Sequence, residues 1–107
     1  MNTLSPLSLD RISIDIATAG AIVLLPAVAG KRVVLAGGWL VCDAANDVTF
    51  QDSDGNQLAG PSGFGANGGF VLPVCELGYL ASATGKGLSI VLASNVQTSG
   101  CLSAFYC

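Results

Sequence analysis

Short apolar runs that alternate at period two, each closed by glycine or proline, direct this chain toward β-sheet. Successive side chains of a strand point to opposite faces, whereas a helix would repeat its apolar positions every three to four residues. In residues 11–16, Ile12, Ile14 and Ile16 share one face and Arg11, Ser13 and Asp15 the other. Gly20 punctuates the pattern. Residues 21–25 are apolar on both faces and stop at Pro26. AVAGKR reads as a turn with Gly30 at its tip. The longest strand pattern covers residues 31–43. There, strict alternation places Val33, Leu35, Trp39 and Val41 on one face and Val34, Ala36, Leu40 and Cys42 on the other. Apolar residues on both faces mark a strand that is central or lies under an interface. Gly37 and Gly38 in its middle suggest a bulge or bend.

Residues 46–51 form a half-polar strand with Val48 and Phe50 inward. DSDGNQ follows as a hairpin turn, with Asp54-Gly55 at its tip. Residues 59–69, AGPSGFGANGG, hold five glycines and a proline and read as a loop. Residues 69–75 form a further strand, ended by a turn at Glu76, Leu77 and Gly78. Residues 79–82 are short and extended, and TGKG is a turn. Residues 88–93 set Leu88, Ile90 and Leu92 on one side. In residues 98–107, Leu102, Ala104 and Tyr106 oppose Cys101, Ser103 and Phe105. The expected architecture is all-β: a single antiparallel β-sandwich or jelly roll of about eight short strands with no substantial helix. Residues 10–107 form the domain. Residues 1–9, MNTLSPLSL, read as an N-terminal arm that is disordered or docked on a neighbour.

The surface such a sandwich needs is short of charge. Only 10% of residues are charged while 51% are apolar, against about 25% charged in ordinary globular chains. Missing charge points to surface that faces other protein; the alternative is a monomer whose surface is made of Ser, Thr, Asn and Gly. Net charge is −3, and the four basic residues are Arg11, Lys31, Arg32 and Lys86. A nucleic-acid backbone is therefore not the expected partner, since binding it takes clustered Lys and Arg. No membrane partner is expected either, because the uncharged stretch 16–30 is short and interrupted by Gly20 and Pro26. The first ten residues show no basic region before an apolar one, so the chain is expected to be made and kept in a cytosol.

That compartment favours free, buried thiols for Cys42, Cys75, Cys101 and Cys107. Two disulfides in three connectivities remain open. On one straight strand Cys101 and Cys107 would stand roughly 20 Å apart, at ~3.3 Å per residue, and could not pair. Cys107 could bridge to another chain. No CxxC spacing supports zinc.

There is no histidine, which removes Ser-His-Asp and Cys-His catalysis in their usual forms. Asp43, Asp47, Asp52 and Asp54 flank one strand and its turn, as hairpin ends do, and are not placed as the paired carboxylates of a glycosidase. Asp52-Ser53-Asp54-Gly55-Asn56 touches the start of a calcium loop. The twelfth position from Asp52, which needs Glu, is Gly63. Thr84-Gly85-Lys86-Gly87 fails the phosphate-loop pattern twice, at Leu80 and at Gly87. No catalytic residue, cofactor or metal ligand is assigned, and the chain is expected not to be an enzyme. Most aromatics sit on strand periods. Phe64, inside the glycine-rich stretch, either plugs a neighbouring subunit or folds back on its own core.

The order of segments ATAGAIVLLPAVAGKRVVLAGGWLV, DVTFQDSDGNQLAG, GGFVLPV and TGKGLSIVLASNVQTSGCLSAFY resembles a small all-β module of tailed bacteriophages, over residues 16–106. The four cysteines are not part of that pattern. The resemblance implies a virion structural protein made in the host cytoplasm: capsid cement (decoration), head fibre, or a tail-fibre domain. Cement proteins of this kind are β-sandwiches or jelly rolls, often trimers, lying over junctions of the major capsid protein on the capsid surface. The leading expectation is a decoration protein, self-associating as a homotrimer. A receptor- or glycan-binding fibre-tip domain is the alternative. Interface candidates are Leu4, Pro6, Leu7 and Leu9 of the arm, with Trp39, Phe64, Phe105 and Tyr106.

Overall fold

A computed structural model describes residues 9–75 and 77–107. Among these residues there is no helix, and nine strands form two antiparallel sheets. The strands are β1 (Asp10–Ile16), β2 (Gly20–Leu25), β3 (Val33–Cys42), β4 (Asn46–Asp52), β5 (Gln57–Phe64), β6 (Gly69–Leu72), β7 (Leu80–Ala81), β8 (Leu88–Leu92) and β9 (Thr98–Tyr106). Sheet A runs β1-β9-β3-β6, with β7 also paired to β3. Sheet B runs β2-β8-β4-β5. Most consecutive strands therefore lie in different sheets.

Where the period is unbroken, the inward face is the one alternation predicts. Ile14 of β1, Val48 and Phe50 of β4, Leu88, Ile90 and Leu92 of β8, and Leu102 and Ala104 of β9 all join one core between the sheets. Leu35, Leu40, Leu88, Ile90, Leu92 and Leu102 are at most 1% exposed. Each contributes about 1.5–3 kcal/mol of hydrophobic stabilisation.

β3 departs from strict alternation. Leu35 lies opposite Ala104 of β9 and Gly37 opposite Ser103, so Ala36 is an extra residue, a β-bulge. One inserted residue exchanges the faces beyond it. Val33 and Leu35 point into the core before the bulge, and Leu40 and Cys42 after it. Trp39 and Val41 thus share the outer face with Val34 and Ala36, not with Val33 and Leu35. Glycine follows the bulge for steric reasons. Gly38 has φ +128°, and a Cβ there would lie 2.3 Å from the Cys101 carbonyl oxygen.

The second departure is β5. The glycine-rich stretch expected to be a loop supplies most of a strand paired to β4. It tolerates Pro61 because β5 is a sheet edge, where a missing N–H costs no ladder bond. The register shift between Val48 and Phe50 absorbs the Gly60-Pro61 step, whose peptide bond is cis. β6 ends at Leu72, earlier than the expected 69–75, because Pro73 follows. The chain still tracks β3, with the Cys75 amide donating to the Ala36 carbonyl at 2.8 Å.

Candidate interaction surface

The outer face of sheet A divides into a covered half and an open half. In the covered half, Val34, Ala36 and Phe105 form a second small apolar cluster, with Leu9 and Ala81 packed on it. Gly78 lies over the same spot: a Cβ on it would come within 2.2 Å of Val34 Cγ1. The segment after β6 is held there by the Tyr79 amide, which donates to the Leu35 carbonyl at 2.8 Å.

The open half is set by register. Ser13, Cys101, Trp39 and Val71 lie side by side across β1, β9, β3 and β6. Trp39 is 47% exposed and Val71 77%. On the segment after β6, Val74 and Leu77 are also exposed. Large apolar side chains stand exposed along this half, and the row holds no ionisable group but the Cys101 thiol.

The interface candidates separate on this frame. Trp39 stands in the open half. Leu9 packs on the covered half of the same face, with the buried Phe105. Phe64 lies elsewhere, half-buried with its ring centroid 6.0 Å from that of Phe70. Tyr106 packs against the main core and donates its hydroxyl to the Pro26 carbonyl at 2.8 Å. Leu4, Pro6 and Leu7 lie outside the described residues, as does Glu76 of the expected turn. Val71, Val74 and Leu77 were not singled out from the sequence. For Val71 the signal was present, since in Gly69–Leu72 it alternates with Phe70 and Leu72, which pack on the core.

A second concavity opens between the sheets at the β5 and β6 edges. Phe50, Phe64, Phe70, Leu35, Leu72 and Tyr79 line most of a cleft of about 280 Å³. Its polar side chains are Ser62 and Tyr79, and the Tyr79 hydroxyl is already bonded to the Pro73 carbonyl. A sugar site would need a broader set of polar groups aimed into the space.

The polar chemistry of the chain serves its turns. Asp52 is 3% exposed. Its Oδ1 accepts from the amides of Asp54 (2.9 Å) and Asn56 (3.0 Å), and its Oδ2 accepts from Asn56 Nδ2 (3.0 Å). The Asn56 side-chain amide, with these backbone amides and the nearby Lys86 charge, holds the Asp52 carboxyl below its ordinary value against the opposing effect of burial. Lys86 pairs with Asp54, whose carboxylate raises the lysine pKa. The Gly87 amide donates to Ser53 Oγ at 3.1 Å and ties the two turns together. Asn46 Oδ1 accepts from the Ser94 amide at 2.9 Å, and Ser82 Oγ accepts from the Val33 amide at 2.9 Å. The four cysteines are free thiols: Cys42 buried, Cys75 and Cys101 half-buried, Cys107 exposed. Among the described residues no three His, Cys, Asp or Glu side chains gather as a metal site. No helix there is long and apolar enough to cross a membrane.

Comparison with protein-family models, with curated proteins and with solved structures found no match.

Proposed function

We propose that this chain is a structural protein of a phage virion: a decoration protein that binds the outside of the capsid and stabilises contacts between capsomers. The observation that carries this reading is the open half of sheet A. Trp39 and Val71 are adjacent and exposed there, on the face where Leu9 packs, and Val74 and Leu77 of the following segment are exposed as well. A surface of this kind, on a chain with only 10% charged residues, fits a role made of contacts. The major capsid protein is the proposed partner, and self-association as a homotrimer belongs to the same reading. With β7 as a side strand, the order 1-9-3-6 over 2-8-4-5 is one we read as a jelly roll. That architecture serves viral capsid and lectin domains alike, so the site must carry the functional argument. The mechanism is linkage: a protein that binds only the assembled shell stabilises it by mass action, and many weak contacts per particle add up.

Trp39 is the one tryptophan of the chain, so its fluorescence reports on this surface directly. Titration onto purified heads is expected to shift its emission to the blue as water leaves the indole. It is also expected to raise the temperature at which the heads disrupt. Removing residues 1–8, which keeps Leu9, should leave a folded protein that decorates poorly. Sugar binding on a glycan array, with heads neither bound nor stabilised, would refute the decoration reading and favour the fibre-tip alternative.

A further inference from the structure

The four sheet edges are not equally protected. An open edge offers unpaired N–H and C=O groups to any other strand, and proteins block such edges with charge, proline, bulges or short length. In sheet A, β1 carries Asp10, Arg11 and Asp15, all exposed, and β6 is four residues long and followed by Pro73. In sheet B, β5 holds Pro61 and is broken by two register shifts, one of them spanning Gly60-Pro61. The remaining edge, β2, is GAIVLL. It has no charge and no proline within it, Pro26 only closes it, and its one irregularity lies near the same end, between Val23 and Leu25. Gly20 to Val23 are all exposed, Ile22 at 36% and Val23 at 62%. Nothing between Ile16 and Gly30 carries a charge.

We propose that β2 pairs with β2 of a second copy of this chain, antiparallel about a two-fold axis, joining two four-stranded sheets into one of eight. The occupant is argued from self-complementarity. In a register centred on Ile22, Ala21 faces Val23 of the other copy and Gly20 faces Leu24, so each small residue meets a larger one. Ile22 meets its own copy at the rim of the interior and extends the core across the boundary. Both strands are uncharged, so this alignment sets no like charges opposite one another, whereas β1 against β1 would have to place its charged residues. The five residues paired in this register, Gly20 to Leu24, supply about four to six main-chain hydrogen bonds. The contact is isologous and joins two copies only, so a trimer must use another surface. The inference stands without the capsid reading.

The test uses the purified full chain alone. Sedimentation velocity across a wide concentration range is expected to show monomer passing to dimer. Amide exchange over Gly20–Leu25 should slow at high concentration relative to low. Val23→Lys replaces an exposed side chain and should weaken dimerisation by roughly tenfold or more. Arg11→Glu on β1 of the other sheet should leave it unchanged. If the lysine disturbs the strand, Ala21→Glu and the exchange measurement on the unaltered chain give the same reading. A monomer at every concentration overturns the proposal. So does association, dimeric or trimeric, that tolerates Val23→Lys or leaves the β2 amides unprotected.

Discussion

β2 and β3 are both uncharged apolar strands, and the fold treats them in opposite ways. β3 lies between β9 and the β6 and β7 strands, with both edges paired, and six of its residues are buried apolar side chains. β2 pairs on one side with β8 alone and leaves most of its length exposed. Hydrophobicity does not separate them; their places in the sheet do. A central strand receives neighbours on both sides, while an edge strand must find a second chain or face water.

The sharpest way to break this comparison is to delete the same kind of atom from each strand. Leu40→Ala in β3 removes a side chain with no exposure and should cost about 2–5 kcal/mol in denaturant unfolding. Val23→Ala in β2 should change stability by less than about 0.5 kcal/mol. Equal losses would mean that β2 is not an edge in solution. The glycines give the next contrast. Gly38→Ala drives a Cβ into the Cys101 carbonyl at φ +128° and should cost about 1–3 kcal/mol. Gly20 has φ +115° with nothing within 4 Å, so Gly20→Ala meets backbone strain alone, about 1–2 kcal/mol. Thermal melts of the two variants check the order.

Trp39→Ala tests the outer face of β3 itself. Its side chain is half-exposed, so the melting temperature should move little while attachment to heads falls. A large stability loss with unchanged attachment would make Trp39 a core residue instead. The smallest effect is on the β4–β5 hairpin of the sheet that β2 borders. The Asp52 pKa is lowered in the fold, so its contribution is full above the unfolded value of about 3.9. Below that value the unfolded state takes up the proton first, and the contribution is gone once pH falls through the folded value. Protection of the Asp54 and Asn56 amides, measured against their intrinsic exchange rates, should therefore fall in acid before the core strands open, and Asp52→Asn should flatten that dependence.

Much of the fold could be read along the chain. The inward sets of β1, β4, β8 and β9 follow from alternation, and the Asp52 to Gln57 turn from Asp-Gly. Two elements could not. Gly37-Gly38 signalled a bulge, but which residue is extra depends on the pairing with Ser103 and Ala104 of β9, more than sixty positions away. Residues 57–64 have loop composition and become β5 because β4 supplies a ladder and no strand lies beyond. The candidate surface was half legible for the same reason. Trp39 could be named from its size and strand, but its outward face came from the bulge, and Phe105 lost its exposure in the cluster that Leu9 and Ala81 cover.

The sequence by itself therefore determined the class, all-β with few charges and apolar strands, because period-two alternation and turn chemistry are local properties of neighbouring residues. The tertiary structure alone decided which apolar run is enclosed, which is an edge, and which way the Trp39 half of β3 looks. Those outcomes rest on hydrogen-bond partners from distant segments, and a single unpaired residue is enough to exchange the two faces of a strand.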